Sequence, residues 1–218
     1  MISKRIRRIA SLIPDNVSVC DVGCDHGYLA VCLRFRGHKG HIVCADKRVG
    51  PLENCLRNVL AFSLQDVDVV LSDGVRSVET QCDYVVIAGM GYHNVVSIMS
   101  ESPEYFKKTT TILQINKDTP MLRKWLTENG YKIVGETMIK DYHFYEILTV
   151  RRGRQKLREK EIKYGRYLLR ENSETFRQCW QIKLEKLQKI KDGLTASHPD
   201  IDKIDEEIKE IKAVLKAR

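Results

Sequence analysis

Apolar positions in the first 150 residues follow two alternating rhythms. Short, nearly continuous apolar runs at 17–22, 41–45, 67–71, 84–88 and 110–115 predict buried strands. Between them, apolar residues recur every three or four positions, which predicts helices over 28–35, 52–63, 93–100 and 120–129, the last closed by Gly130. Ile6, Ile9, Ala10 and Ile13 predict a short basic helix ahead of the first strand. Two β-rich runs, 131–139 and 144–150, follow with no helix between them, joined by a hairpin turn at Asp141-Tyr142-His143. Alternating strands and helices predict an α/β, Rossmann-like parallel sheet of about seven strands, and the terminal pair adds one antiparallel strand at its end.

From residue 153 the texture changes. Glycine and proline nearly vanish, and Ile201, Ile204, Ile208, Ile211 and Leu215 form a heptad seam. Phe176, Trp180, Leu184, Leu187 and Ile190 form an earlier stripe, with breaks at Asp192-Gly193 and Ser197-His198-Pro199-Asp200. The expected organisation is a Rossmann-like domain at 1–152 and a coiled-coil-like antiparallel helical hairpin at 153–218. The two stripes are expected to pack on each other in a monomer, with pairing between chains as the alternative.

The first strand runs into Asp21-Val22-Gly23-Cys24-Asp25-His26-Gly27-Tyr28, a strand, a glycine turn and a helix start. In an α/β sheet this crossover is where a nucleotide-like ligand lies. Asp21 and Asp25 bring two carboxylates to the turn, which would repel the pyrophosphate of a dinucleotide and attract the ammonium and sulfonium of S-adenosylmethionine. Asp46 ends the second strand, where an acidic residue can accept both hydroxyls of a ribose, and Lys47 beside it is placed to pair with it. Asp73-Gly74 follows the third strand, near where an adenine edge would lie. Each aspartate alone reads as a turn or cap; three after successive strand ends favour a cofactor edge. Ala88-Gly89-Met90-Gly91 ends the fourth strand with two glycines that permit close approach of a ligand. Gln114 and Asn116 end the fifth on one face, where amides can bond a base edge.

Charge sharpens this picture. The net charge is +8, and residues 151–177 hold ten basic against four acidic side chains. Such an excess fits a polyanion or an ordinary solvated helix face. No apolar run is long enough to span a membrane, and the basic N-terminus leads into no secretory h-region. Seven cysteines without paired spacing fit a reduced, cytoplasmic protein. A zinc reading of Cys20, Cys24, His26, Cys32, His38, His41 and Cys44 is rejected because no paired knuckles occur, so no metal is expected.

Together these residues resemble the bacterial tRNA (adenine(22)-N1)-methyltransferase family. The resemblance is carried by Ser3-Lys4-Arg5 with Ile9-Ala10, the Asp21–Leu29 turn, Gly50-Pro51-Leu52, Ser72-Asp73-Gly74, Ile87-Ala88-Gly89-Met90-Gly91, Leu113-Gln114-Ile115-Asn116 and Phe144-Tyr145-Glu146-Ile147. Tyr92, where the family has glycine, and Ile115, where it has proline, depart from the pattern beside the presumed target pocket; Asp46 stands where glutamate is usual. The resemblance implies a class I methyltransferase that transfers a methyl group from S-adenosylmethionine to N1 of adenine 22 in the D-arm region of tRNA. The expected cofactor residues are Asp21, Gly23, Asp25, His26, Tyr28, Asp46, Lys47, Asp73, Gly74, Ala88, Gly89 and Met90. Asp25, Gln114 and Asn116 are expected to orient the base, with Tyr28, Tyr92 and Tyr145 as stacking candidates. Lys4, Arg5, Arg7, Arg8, Arg151, Arg152, Arg154, Lys156 and Arg158 are expected to contact tRNA phosphates. Two other readings fit less of the chain: a methyltransferase for another RNA or a small molecule, and a non-enzymatic RNA-binding protein with a degenerate Rossmann domain.

Overall fold

The computed structural model describes residues 2–195 and 198–216. The chain divides into two compact units, Met1–Gly165 and Arg166–Arg218. The first unit therefore extends past the change of texture at 153 and includes one further helix.

In the first unit, α1 (Lys4–Ser11) leads into β1 (Val19–Val22), α2 (Tyr28–Phe35), β2 (Ile42–Asp46), α3 (Val49–Ala61), β3 (Val67–Leu71) and β4 (Tyr84–Met90). Then come α4 (Tyr92–Glu101), α5 (Pro103–Lys107), β5 (Thr110–Ile115), α6 (Thr119–Glu128), β6 (Tyr131–Lys140), β7 (Phe144–Arg152) and α7 (Glu159–Tyr164). The seven strands form one sheet in the order β3-β2-β1-β4-β5-β7-β6. β7 alone runs against its neighbours, and it lies between β5 and β6 instead of at the sheet's edge. Every residue of β1, β2 and β5 is buried, as expected of parallel strands covered on both faces. Ile9, Ala10 and Ile13 of the N-terminal segment join Leu29, Ala30 and Leu33 of α2 in the core beside β1 and β2. That packing anchors a basic helix to the sheet.

The sequence pattern differs from the structure in informative places. β4 continues past Ala88 to Met90 through a shift of register on β5, so Gly89 sits in a bulge. α3 begins at Val49, because Pro51 in a first turn sacrifices no helical bond. A buried salt bridge ties the later elements together. Arg123 of α6 is fully buried; its Nε donates to Glu136 of β6 at 2.6 Å, and it also pairs with Glu146 of β7. Its Nη1 donates to the carbonyl of Ile162 in α7 at 3.1 Å.

The second unit holds α8 (Arg166–Glu171), α9 (Glu174–Asp192) and α10 (Ile201–Lys216). Ser173 caps α9 by accepting from the Phe176 amide at 3.3 Å. Lys183 and Lys191 of α9 pair with Glu207 and Asp205 of α10, so the two helices form the expected hairpin. α7 and α8, unforeseen in the pattern, precede it; Ser197, read as part of the break, lies outside the described residues. Among the described residues no helix is long and apolar enough to cross a membrane.

Candidate functional site

The strand order reverses between β1 and β4, and ligands of open α/β sheets bind at the carboxyl ends of strands beside such a reversal. A cavity of about 870 Å³ opens there, lined from β1, β2, β4, the loop after β3, α4 and the N-terminal helix. All of the residues expected to hold the cofactor line it, from Asp21 to Met90.

The turn after β1 is held by its neighbour, since the amides of Gly23 and Cys24 both donate to the Ala45 carbonyl, at 2.7 and 3.1 Å. Gly23 adopts φ +78°, and a Cβ there would stand 2.3 Å from the Met90 methyl. Glycine thus lets the Met90 side chain lie against the turn at the cavity floor. Asp21 is buried at the floor, and burial, with Cys55 and Asp46 nearby, pushes its carboxyl up to about 7. Asp46, 6% exposed, accepts from the Arg48 amide at 3.0 Å, and the Arg48 guanidinium lies 3.7 Å away. The partner of Asp46 is thus Arg48, not the adjacent Lys47. Asp25 stands at the rim, its carboxylate 3.6 Å from the His26 ring, which stacks on Tyr28 with centroids 5.3 Å apart.

Gln114 and Asn116 occupy a different place from the one expected. Neither lines the cavity. Gln114 is fully buried, its Oε1 accepting from the Gly89 amide at 3.1 Å and from Arg5 at 2.8 Å, while its Nε2 donates to the Ile115 carbonyl at 2.8 Å. Asn116 donates to the Gly89 carbonyl at 2.9 Å. The two amides grip the bulged glycine from both sides.

Arg5, grouped with the phosphate contacts by charge, lines the cavity and lies over the Tyr145 ring at 5.3 Å. Tyr28 lines the cavity, whereas Tyr92 does not and packs edge-on against His93. The other expected phosphate contacts fall into two groups. Lys4, Arg7 and Arg8 are exposed on α1, where Arg8 bonds Thr137 at 3.0 Å. Arg151 bonds Thr110 at the start of β5, and Arg152 bonds the Asn129 carbonyl and covers Tyr131. Arg151 pairs with Lys132 on β6, five residues from Thr137, so roughly 17 Å of strand separates the groups. The second group sits at the sheet edge opposite the cavity. Arg154 and Lys156 follow it on the exposed segment before α7, and Arg158 caps that helix.

Sequence reasoning missed Ser3, Ile6, Arg48, Ser72 and one face of α4: Asn94, Ser97, Ile98 and Glu101. That last set was legible, because positions 94, 97, 98 and 101 share one helical face directly after a glycine-rich strand end. Beneath the turn, Cys24, Cys44 and Cys55 come together, their sulfurs within 4.8 Å of one another. Cys55 accepts from the other two thiols, which lowers it, while those contacts and burial raise Cys24 and Cys44. Cys55 was absent from the set considered for zinc, and the cluster of three is not visible from spacing.

Comparisons with known proteins point to one family. The family model described as tRNA (adenine(22)-N(1))-methyltransferase matches residues 19–215. The tRNA (adenine(22)-N(1))-methyltransferase of Bacillus subtilis is 26% identical over 221 residues, covering 96% of this chain and 92% of that protein. A crystal structure from Streptococcus pneumoniae, of a protein described as a tRNA (m1A22) methyltransferase, superposes with a TM-score of 0.91 at 32% identity, covering 99% of this chain and 100% of that one. The same protein in complex with S-adenosyl-L-methionine gives 0.87 at 32% identity, covering 99% and 100%. The M. capricolum relative in complex with S-adenosyl-homocysteine gives 0.82 at 25% identity, covering both chains fully.

Proposed function

Because the chain belongs to the tRNA (adenine(22)-N(1))-methyltransferase family, we propose that the cavity at the β1–β4 reversal is where it methylates N1 of adenine 22. The enzyme uses S-adenosylmethionine, as the family does. The observation that carries the assignment of residues is the convergence on one cavity of two buried carboxylates, Asp21 and Asp46, around a glycine turn that a single Cβ would fill.

These residues fit that cofactor. When bound, it supplies an electrophilic methyl group on a sulfonium centre. Asp21 and Asp46 offer negative charge to its amino-acid end and acceptors to its ribose, and Asp73 is the acceptor for an adenine edge. Gly23 and Gly89 let two cavity-lining side chains, Met90 and Arg5, lie against the backbone where a Cβ would stand. Adenine N1 attacks with an in-plane lone pair, so the protein needs no general base; its tasks are alignment and exclusion of water. Gln114 and Asn116 act through the Gly89 peptide, fixing the bulge that borders the reacting atoms, and are positioning residues. Asp25 at the rim is the group left to accept from the target base's amine as that base becomes cationic. Tyr28 offers the stacking surface for a base extruded from the tRNA fold. Lys4, Arg7 and Arg8 hold phosphates nearest the cavity, and Arg151, Arg152, Arg154, Lys156 and Arg158 serve RNA that reaches the far sheet edge. A tRNA substrate fits an enzyme of the cytoplasm.

The test is cofactor titration of Asp21→Asn and Asp46→Asn by calorimetry, with circular dichroism as the check on folding. Both variants should fold and lose at least tenfold in affinity, the equivalent of ~1.4 kcal/mol. Parental affinity in both would overturn the assignment.

A further inference from the structure

Three elements bring one sulfur each to a single point below the cofactor turn. Cys24 follows Gly23, Cys44 lies in the centre of β2, and Cys55 faces them from α3; all three are buried. Their sulfurs lie within 4.8 Å of one another. Metal–sulfur bonds of about 2.3 Å place the sulfurs of one ion's coordination shell roughly 4 Å apart. The cluster is therefore close to the size of a metal site without large rearrangement.

Each sulfur is also held for its own reasons. Cys44 is paired on both sides in the sheet, with Asp21 of β1 and Val69 of β3. The Cys24 amide donates to the Ala45 carbonyl at 3.1 Å. The Cys55 sulfur presses on the turn at Gly27, where a Cβ would stand 2.6 Å from it. Glycine at 27, already in the left-handed region at φ +65°, is what lets α3 bring its sulfur this near.

We propose that Cys24, Cys44 and Cys55 form a closed three-thiolate site for a soft, thiophilic cation, Cu(I) foremost. Sulfur-only donors select soft ions and exclude magnesium and calcium, which need oxygen. Three sulfurs complete a trigonal shell for Cu(I), whereas Zn(II) would need a fourth ligand. The bound ion joins the turn at 23–27 to β2 and α3, and so braces the floor of the cavity. None of its donors is assigned to cofactor or substrate, and Cys24 alone of the three also lines the cavity.

The experiment uses the full chain, reduced and metal-free, under anaerobic conditions. Cd(II) serves as the spectroscopic probe, and Cu(I) is added in competition with a chromogenic Cu(I) chelator. The expected result is a thiolate-to-cadmium charge-transfer band that saturates at one equivalent, a cadmium-113 resonance in the sulfur-rich range, and withdrawal of one Cu(I) per chain from the chelator. Cys55→Ser and Cys44→Ala should each lose the one-equivalent band, while Cys179→Ser, on α9, should keep it. Because the wild-type spectrum is read directly, a variant that misfolds does not decide the matter. Failure of the wild type to withdraw one Cu(I) per chain from the chelator, or a one-equivalent band that survives both Cys55→Ser and Cys44→Ala, would overturn the proposal.

Discussion

Replacing Gln114 with alanine removes a side chain that links the bulge of β4, the N-terminal helix and the end of β5. Its Oε1 serves both the Gly89 amide and Arg5, and its Nε2 serves the Ile115 carbonyl, all in a fully buried position. A neutral hydrogen bond contributes about 0.5–1.5 kcal/mol net, and one to a charged group about 1.5–3. Water entering the space left behind recovers part of this, so the expected loss is ~2–4 kcal/mol. In a chain of this size that lowers the melting temperature by roughly 5–15 °C. Methyl transfer at saturating cofactor should fall more than cofactor affinity does, because on the proposed assignment Gly89 borders the reacting atoms and the carboxylates proposed to hold the cofactor are untouched. Gln114→Glu separates positioning from direct contact with the base. It keeps the acceptor that Gly89 and Arg5 use and loses the donor to the Ile115 carbonyl, so it should retain more turnover than Gln114→Ala but less than the parent. Thermal melts, cofactor calorimetry and single-turnover assays on both variants read these quantities. A Gln114→Ala protein that melts with the parent and turns over fully would refute the reasoning. A Gln114→Glu protein as inactive as the alanine variant, with full cofactor affinity, would return Gln114 to the base.

Other expectations follow from the same geometry. Asn116→Ala breaks one exposed bond to the Gly89 carbonyl and should destabilise by about 0.5–1.5 kcal/mol; its effect should be non-additive with Gln114→Ala in a double-mutant cycle, since both grip one peptide. Gly23→Ala places a Cβ where the Met90 methyl lies, on a backbone at φ +78°, and cofactor titration should show weaker binding while circular dichroism stays unchanged. Arg123→Met removes the guanidinium that bridges Glu136 and Glu146 and should cost about 3–5 kcal/mol in urea unfolding. Charge reversal of Lys4 and Arg7 should weaken tRNA binding and make the logarithmic salt slope shallower by about one for each phosphate no longer neutralised; reversal of Arg151 and Arg152 should also lower the melting temperature, because both bond the fold.

The sheet was legible because its strands are apolar runs and its helices are periodic, two signals that need no knowledge of the rest of the chain. The insertion of β7 between β5 and β6 was not, because strand order is decided by pairing across the sheet. The gathering of Asp21, Asp46 and Asp73 at one cavity could be read because they lie at or just beyond the ends of three strands, and a parallel sheet brings such ends to one side. The contacts of Gln114 and Asn116 with the Gly89 peptide were not legible: a glutamine's partners are set by which backbone groups a bulge leaves exposed, and the bulge at Gly89 has no signature beyond the glycine itself. Arg5 was hidden by its setting, since a cation among Lys4, Arg7 and Arg8 reads as one more phosphate ligand. The thiol cluster was hidden by distance along the chain, for Cys24, Cys44 and Cys55 meet only once β2 and α3 have crossed the sheet.

The most direct test is to incubate the protein with S-adenosylmethionine and an unmodified bacterial serine or leucine tRNA, then locate methylated nucleosides by mass spectrometry of nuclease fragments. The account expects 1-methyladenosine at position 22, absent when that adenine is replaced by guanine and absent with the Asp21→Asn protein. Methylation at another position or atom, or no methylation by a protein that binds the cofactor, would contradict it.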